Sequence, residues 1–357
     1  MTLEGAAPLN LHEYEAATAR IIPEAAWGFF AGGAEDERTL ADNLAAFRRR
    51  AIRSRVLVDV AQRDMETRVL GLDLPHPIVV APTALHKIGH PEGEAATARG
   101  AAAAGALYAV SSAASVALED VVAAAPDAPR WFQLYCSADR ARNERLIARA
   151  AHAGCAAVVV TVDVPVLGRR ERDLRSRFAL PDGVRMENLL GPSPVVTAGW
   201  ADPVENASLT WDDIGWLKAA SSLPLLLKGI VRADDAARAV GLGVAGVWVS
   251  NHGGRQLDGA IASLDALSDV AAAVGDRCVI VFDGGVRRGV DALMALALGA
   301  DLVALGRPVT WGLAVGGADG VRAVLDMVRD ELSLSMALAG CRTLADITPD
   351  LVTDIVG

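Results

Sequence analysis

Residues 245–259 read AGVWVSNHGGRQLDG, an apolar run that ends in a polar segment with a histidine between an asparagine and two glycines. The run has the β-branched and aromatic residues typical of a buried strand, and the Gly-Gly pair ends it. Polar side chains that directly follow such a strand lie at its carboxyl end, which is where barrels carry their functional residues. The fold therefore depends on whether other strands of the chain end in the same way.

Seven further apolar runs occur, and alanine-rich, helix-like segments connect most of them. These runs are PIVVAP (77–82), ALYAVSS (106–112), RWFQLY (130–135), AAVVVTVD (156–163), PLLLKG (224–229), CVIVFDGG (278–285) and DLVALGR (301–307). They lack polar alternation, which is typical of parallel strands covered by helices. Eight such units predict an α/β fold, the (β/α)8 TIM barrel. A doubly wound sheet is disfavoured because no GxGxxG follows the first strand.

Two segments lie outside the repeated units of what we expect to be a single domain over residues 1–357. Residues 1–70 are predicted to form a helical N-terminal extension, and residues 164–223 form a long insertion after the fourth strand. The insertion contains PDGVRMENLLGPSPVVTAGWADPVENAS, which is too long and too rich in turn residues for a simple connection. Long irregular loops in compact domains usually serve as lids or binding loops. We therefore expect the insertion to border the active site.

The composition excludes several classes of protein. A net charge of −10 argues against a nucleic-acid partner, since phosphate binding needs an excess of clustered Lys and Arg. No apolar stretch reaches the roughly 18 residues needed to span a bilayer, and the first residues lack the pattern of a secretory signal. The four cysteines form no CxxC and the histidines are not spaced for zinc, so no metal site is expected. These features predict a cytoplasmic protein without a membrane partner.

The carboxyl ends of barrel strands face one mouth, so residues far apart in the sequence converge there. All eight predicted ends carry charged or hydrogen-bonding side chains, whereas the strand interiors are almost entirely apolar. Packing does not explain this contrast, which favours an active site. In chain order, the ends are Ala81-Pro82-Thr83-Ala84, Ser111-Ser112, Gln133-Leu134-Tyr135, Thr161-Val162-Asp163, Lys228-Gly229, Ser250 to Arg255, Asp283-Gly284-Gly285 and Gly306-Arg307.

The last two strand ends predict a phosphate site. Asp283-Gly284-Gly285 and Gly306-Arg307 offer exposed backbone N–H groups and a guanidinium, the arrangement that barrels use to bind phosphate. Tight turns alone would explain the two adjacent glycines. They would not explain the presence of Arg287 and Arg307 beside them.

The centre of the mouth predicts proton transfer. His252 is a candidate base, and Asp163 can orient it and stabilise its protonated form. Arg255 can bind a carboxylate, and Lys228 can balance an electron-rich group. A lone histidine would more often be a core residue, but four polar residues at neighbouring strand ends favour catalysis. A barrel with these groups and no metal needs an electron acceptor or a carbonyl sink, and FMN fits both the phosphate site and the lysine.

The chain resembles the FMN-dependent 2-hydroxy acid oxidases and dehydrogenases, the family of glycolate oxidase, lactate oxidase and mandelate dehydrogenase. The resemblance runs nearly from end to end, and SNHGGRQLDG is its most specific motif. The other motifs are AGGAEDERTLADNLAAF (31–47), HPEGE (90–94), QLY (133–135), TVDVPVLGRRERDLRSRF (161–178), LLKG (226–229), DGGVRRG (283–289), ALGRP (304–308) and MALAGC (336–341).

The resemblance implies a role for each matching residue. His252 would accept the substrate proton with Asp163 beside it, Arg255 would hold the substrate carboxylate with Tyr135 and Arg170, and Lys228 would stabilise the reduced flavin. The residues implied to line the isoalloxazine ring and ribityl chain are Ala81, Pro82, Thr83, Ala84, Ser111, Gln133, Thr161 and Ser250. Those implied to hold the ribityl and phosphate end are Asp283, Gly284, Gly285, Arg287, Gly306 and Arg307.

Two departures from the family pattern bear on the substrate. Phe29 stands where members acting on small acids have a tyrosine that helps to bind the carboxylate, and the loss of that donor removes a bond of about 1.5 to 3 kcal/mol. Ala113 stands where glycolate oxidase has a tryptophan, which predicts a wider and less polar pocket. In having phenylalanine at the position of Phe29, the chain is similar to the hydroxymandelate oxidase branch of the family. We therefore expect a 2-hydroxy acid of the mandelate type, whose ring can meet Phe29 edge to face.

The electron acceptor is a separate question. At the position of Ala84 the chain resembles the oxidases of the family, whereas the mandelate dehydrogenases carry glycine there. We therefore expect O2 as the electron acceptor and hydrogen peroxide as the product. The alternatives are a dehydrogenase that uses a quinone or carrier protein, a biosynthetic tailoring enzyme acting on a larger substrate, and a barrel that only binds its ligand. The resemblance also implies a homo-oligomer, a tetramer or an octamer.

Overall fold

The chain enters the fold through three helices, α1 (Leu11–Ile21), α2 (Glu24–Ala31) and α3 (Arg38–Arg48), in a computed structural model that describes residues 7–190 and 206–355. The helical part of the N-terminal extension is shorter than predicted, since it ends at Arg48. It is followed by strand β1 (Arg50–Ile52) and by a hairpin of β2 (Thr67–Val69) and β3 (Leu72–Leu74). The two strands are joined by Leu70 and Gly71, which both have positive φ, the backbone conformation of a tight hairpin turn.

The eight apolar runs form the eight strands of a closed parallel barrel, which confirms the (β/α)8 fold. The barrel strands are β4 (Ile78–Val80), β5 (Tyr108–Ser111), β6 (Arg130–Tyr135), β7 (Val158–Thr161), β8 (Leu225–Ile230), β9 (Gly246–Val249), β10 (Val279–Phe282) and β11 (Leu302–Leu305). They follow one another in chain order around the barrel, and β11 pairs with β4 to close it. A short strand β12 (Val352–Asp354) pairs antiparallel with β1.

Helices follow the strands and cover the outside of the barrel. They are α4 (Gly93–Ala103), α5 (Leu118–Ala124), α6 (Arg140–His152), α7 (Glu171–Ser176), α8 (Glu187–Leu190), α9 (Trp211–Ala220), α10 (Ala233–Gly241), α11 (Ser263–Val274), α12 (Gly289–Ala297) and α13 (Arg307–Ala339). Their caps follow local sequence rules: the Asp139 side chain accepts a hydrogen bond from the backbone N–H of Arg142 and so begins α6. The helices α7, α8 and α9 belong to the predicted insertion, of which residues 191–205 lie outside the described residues.

The barrel interior is a packed core rather than a pore. Trp131 and Trp248 are fully buried inside it, with ring centroids 6.5 Å apart. Val69 and Leu74 of the β2–β3 hairpin belong to the same apolar cluster, so the hairpin seals the end of the barrel where the strands begin. The opposite end, where the strands finish, is left for the polar residues.

Candidate active site

Strand register brings the expected polar residues into one row at the barrel mouth. Tyr135 on β6 is paired with Thr161 on β7, and Thr161 is paired with Lys228 on β8. A register shift follows at Gly229, whose φ of 111° suits glycine. A Cβ on Gly229 would lie only 2.5 Å from Cγ of Asp163. The glycine therefore allows β8 to pass close beside the aspartate that follows β7.

His252 and Asp163 form a hydrogen-bonded pair at the mouth. Nδ1 of His252 lies 2.9 Å from Oδ1 of Asp163, which leaves Nε2 for the cleft that His252 lines. Burial lowers the pKa of His252, an effect that Asp163 only partly opposes. Burial alone would raise the pKa of Asp163, but the adjacent His252 and Lys228 bring it below its ordinary value. The pair at neutral pH is thus a neutral imidazole and a carboxylate, the state required of a base.

Lys228 is a buried cation. Its Nζ donates to Oγ of Ser250 at 2.9 Å and lies 3.2 Å from Oδ2 of Asp283. Burial opposes its charge, but Asp283 and Asp163 raise its pKa above the ordinary value. The Asp283 carboxylate also accepts hydrogen bonds from Nε1 of Trp248 and Oγ of Ser250, at 2.9 and 2.7 Å. Asp283, which was expected at the ribityl and phosphate end of the cofactor, thus lines the cleft and also binds the lysine.

Arg255 and Arg170 lie together on one wall beside His252. The Arg255 guanidinium donates to the carbonyl of Gly32 at 2.7 Å and lies over the ring of Phe29, 5.3 Å from its centroid. Burial lowers the pKa of Arg255 well below its usual range, and the charge of Arg170 lowers it further. Burial also raises the pKa of Tyr135, which keeps its hydroxyl protonated as a donor. Two guanidiniums and a phenol on one wall form a site for a carboxylate.

A second pair of buried arginines lies where the phosphate site was expected. Arg287 packs over Trp311, and its Nε is buried without a hydrogen-bond partner among the described residues. Arg307 begins α13 and donates to the carbonyls of Phe30, Gly32 and Gly253. Burial and the neighbouring Arg287 lower the pKa of Arg307 to about 9. Two guanidiniums that repel each other at a helix N-terminus would be stabilised by a bound anion.

One cleft joins the two arginine pairs. It contains about 1120 Å³ of space between the protein atoms, its solvent-filled mouth included. The expected site residues that line it are Phe29, Ala81, Pro82, Thr83, Ala84, Ala113, Tyr135, Arg170, Lys228, His252, Arg255, Asp283, Gly284, Gly285, Arg287, Gly306 and Arg307. The proposed base, the buried lysine and both arginine pairs therefore face one continuous space.

Four residues expected against the cofactor are joined to their neighbours by hydrogen bonds. Ser111 Oγ donates to Gln133 Oε1, and Gln133 Nε2 donates to Thr161 Oγ1, both at 2.9 Å, so the three form a chain across neighbouring strands. The fourth, Ser250, accepts from Lys228 and donates to Asp283. These bonds fix the orientation of all four side chains at the strand ends.

The structure also adds residues at the cleft that the strand ends did not predict. Phe178, from the insertion, stacks on the lining residue Phe29, with ring centroids 4.8 Å apart. Met186, also from the insertion, lines the cleft and is 1% exposed. It is held there because the next residue, Glu187, donates its backbone N–H to the carbonyl of Ala114 at 3.0 Å. The only sequence signal for these residues was the length of the insertion. Phe30, Val164, Leu167, Gly253, Val286, Ala304, Leu305, Pro308 and Thr310 complete the unpredicted lining.

The described ranges, 7–190 and 206–355, lack both a metal-binding cluster and a membrane-spanning helix. They contain no group of three or more His, Cys, Asp or Glu side chains placed to hold a metal ion. No helix in them is long and apolar enough to cross a membrane.

The chain is similar in sequence to known proteins along nearly its whole length. The family described as FMN-dependent dehydrogenase matches residues 18–354. The chain is 47% identical over 354 residues to an L-lactate oxidase of Nostoc sp., covering 95% of this chain and 96% of the relative. It is 45% identical over 351 residues to a glycolate oxidase of Spinacia oleracea, covering 95% and 94%.

Solved structures of mandelate oxidase are similar along almost the whole chain. One superposes with a TM-score of 0.92 at 40% identity and covers 98% of this chain and 99% of its own. Another, in complex with (S)-2-phenylpropionate, superposes with a TM-score of 0.90 at 40% identity and the same coverage. The likeness therefore extends over both the barrel and the elements that surround the cleft.

Proposed function

We propose that this chain, which belongs to the FMN-dependent dehydrogenase family, oxidises an aryl 2-hydroxy acid of the mandelate type to the 2-keto acid, with O2 as electron acceptor. The family and the oxidase relatives establish the reaction class, FMN-dependent oxidation of a 2-hydroxy acid. The aryl substrate, the acceptor and the role of each residue form the proposal. The observation that carries it is the hydrogen-bonded pair of His252 and Asp163. His252 lines the same cleft as the two guanidiniums, Arg170 and Arg255, and the buried Lys228.

The residues around the cleft fit FMN. Arg287 and Arg307, which carry no salt bridge to a carboxylate among the described residues, would hold its phosphate at the N-terminus of α13. Gly284 and Gly285 have positive φ, and a Cβ on Gly285 would lie 2.1 Å from the backbone oxygen of Asn43, so glycine is required at this turn. Lys228 would lie against the ring and balance the charge that develops there on reduction. When bound, FMN supplies the acceptor for the two electrons that leave the substrate.

The remaining residues bind and deprotonate the substrate. Arg255 and Arg170 would hold the carboxylate, and the protonated Tyr135 would donate a further hydrogen bond. This places the 2-hydroxy group toward Nε2 of His252, which takes the leaving proton. Asp163 stabilises the imidazolium that forms through its bond to Nδ1.

The aromatic wall supports an aryl substrate. Phe178 stacks on the ring of Phe29, Phe30 meets it in a T-shaped contact, and Phe29 lines the cleft. A substrate ring that met this aromatic cluster edge to face would gain about 0.5 to 1.5 kcal/mol beyond the buried area. Ala113 and Met186 add apolar surface without a hydrogen-bonding group that a small acid would need.

Substrate preference gives the first prediction. We expect kcat/KM, measured as peroxide release by the purified yellow protein, to be at least about tenfold higher for mandelate than for glycolate, equivalent to about 1.4 kcal/mol of transition-state binding. Phe29→Tyr adds a hydrogen-bond donor for the carboxylate and should lower the ratio of kcat/KM for mandelate to kcat/KM for glycolate. The matched variant Phe30→Tyr should change this ratio less. Higher kcat/KM for glycolate in the unchanged protein would contradict the aryl proposal.

The same assay separates O2 from other acceptors. Turnover that requires an added dye or quinone and releases no peroxide would favour the dehydrogenase alternative. Ala84 lines the cleft, where its methyl group lies beside the space proposed for the flavin. A biosynthetic role on a larger substrate would appear as activity on bulkier acids only.

We also infer that the chain acts as a single domain of residues 1–357 in a cytoplasmic homo-oligomer, a tetramer or octamer. The four cysteines are free thiols, as is usual in a reducing compartment. Val56 and Leu57 are 79% and 103% exposed, and Leu334 and Leu338 on α13 are 58% and 71% exposed. The two pairs belong to segments that touch, since the backbone N–H of Arg55 donates to the carbonyl of Ala339. An apolar patch of this kind supports a subunit contact.

The oligomer proposal predicts a solution mass of four or eight chains by light scattering. Leu334→Glu with Leu338→Glu should reduce that mass, because the substitutions place charge in the apolar patch. A matched pair of exposed substitutions away from the patch, Val166→Glu with Leu174→Glu, should have a smaller effect. A single-chain mass for the unchanged protein would contradict the proposal.

A further inference from the structure

A pair of buried asparagines connects the N-terminal extension to the loop that carries the proposed base. Asn43 lies on α3, and Asn251 directly precedes His252; they are 2% and 8% exposed. Nδ2 of Asn43 donates to Oδ1 of Asn251 at 2.9 Å, and Nδ2 of Asn251 donates to Oδ1 of Asn43 at 2.8 Å. The two amides thus form a closed pair of hydrogen bonds between segments 208 residues apart.

The asparagine pair organises the whole loop. Asn251 Oδ1 also accepts from the backbone N–H of Gly254 at 3.1 Å, and its Nδ2 also donates to the carbonyl of Ile261 at 3.0 Å. All four hydrogen-bonding positions of the Asn251 amide are therefore used. Oδ1 of Asn43 accepts from the backbone N–H of Ser263 at 3.1 Å. Both ends of the segment 251–263 are tied to the two side chains.

His252 needs such support because its backbone is strained. Its φ of 58° lies in the left-handed region, which is uncommon for a residue with a side chain and costs of order 1 to 3 kcal/mol. The extension also holds the other side of the loop, since the backbone N–H of Ala34 donates to the carbonyl of Gly254 at 2.8 Å. A Cβ on Gly254 would lie 2.5 Å from the backbone nitrogen of Leu40, so the two segments are in direct contact.

We propose that Asn43 is a positioning residue for the reaction: through Asn251 it holds His252 in the left-handed conformation that directs Nε2 into the cleft. The N-terminal extension then takes part in catalysis without contributing the base itself. The inference rests on the proposed function, because it assumes that His252 is the base. Asn43 does not line the cleft, and its effect is exerted on the orientation of the imidazole.

The test is Asn43→Ala in the FMN-bound full-length protein. Misplacement of a catalytic group by about 1 Å can lower a rate by about 10²-fold, so we expect kcat to fall by about tenfold to a hundredfold. KM and the FMN dissociation constant, measured by flavin fluorescence, should change by less than about threefold. The deuterium isotope effect on kcat with 2-deuterated mandelate should rise, because cleavage of the substrate C–H bond becomes more rate-limiting.

Two further variants separate positioning from general loss of stability. Thr18→Val removes a different buried hydrogen bond of the extension, from Oγ1 of Thr18 to the carbonyl of Trp311, and should leave kcat and the isotope effect unchanged. In the background of Asn251→Ala, the further change Asn43→Ala should have little effect on kcat, because the interaction is already broken.

Three results would overturn the inference. They are an unchanged kcat in Asn43→Ala, an equal fall in Thr18→Val, and full additivity in the double variant. Failure of the proposed function is recognised separately, since it would appear as normal turnover by His252→Ala whatever the result at Asn43.

Discussion

His252→Ala should lower kcat by about 10²- to 10⁴-fold, the range that a positioned base contributes. The reason is that Nε2 of His252 is the group placed to take the substrate proton, with Nδ1 already bound to Asp163. The variant should keep its yellow colour, because the substitution leaves Arg287 and Arg307, the arginines that would hold the phosphate, unchanged. Stopped-flow measurement of flavin reduction under anaerobic conditions reads the affected step directly.

A second variant guards against a folding defect. His252→Gln keeps a polar side chain of similar length but no basic nitrogen, so it should be as impaired as His252→Ala. Added imidazole should restore part of the activity of the alanine variant by occupying the space that the ring leaves. Normal flavin reduction in either variant would refute the role of His252.

Asp163→Asn should lower kcat by about 10²-fold or more, as loss of an orienting carboxylate beside a catalytic histidine does elsewhere. The Asp163 carboxylate raises the pKa of His252 both by its charge and by its hydrogen bond, against the larger lowering caused by burial. With the neutral amide in its place the pKa of His252 falls further. The imidazole then stays deprotonated to lower pH, but the imidazolium formed in the reaction loses its counter-charge.

The pKa of His252 sets the pH at which kcat/KM falls on the acid side. The acid limb of kcat/KM in the unchanged protein should lie below the ordinary imidazole pKa of about 6.5, and in Asp163→Asn it should move to still lower pH. Asp173→Asn is the matched control: that carboxyl has Arg255 and Arg170 as its charged neighbours, and His252 is not among the groups that act on it. The control should leave the acid limb in place. A limb that moves to higher pH in Asp163→Asn would contradict the arrangement.

Local sequence accounts for the positions of the strands and of the polar residues that follow them. An apolar run such as 245–250 forms a strand that is buried on both faces, as parallel strands covered by helices are. The glycines after it end the strand because they readily adopt positive φ. His252, Lys228 and Asp163 were therefore predictable as neighbours at one mouth, because parallel strands in a barrel finish on the same side. The resemblance to known flavoenzymes added roles to residues that the strand pattern had already brought together.

Other features depend on contacts between distant segments. Asp283 binds Lys228, and Arg307 donates to three carbonyls, because buried charges need partners and only the packing of distant segments supplies them. Local patterns also did not show that the helical extension stops at Arg48 and continues as a strand, since β1 depends on pairing with β12 near the other end of the chain.

The sequence by itself determined the barrel, its mouth and the chemical groups found there, because strand burial and turn residues are properties of neighbouring positions. Only the tertiary structure decided which side chains line the cleft and what holds them. Met186 reaches the cleft through a backbone contact with Ala114, and Asn43 reaches the loop of His252 across 208 residues. Such placements follow from close packing, in which each side chain is positioned by neighbours that the chain brings together only when it folds.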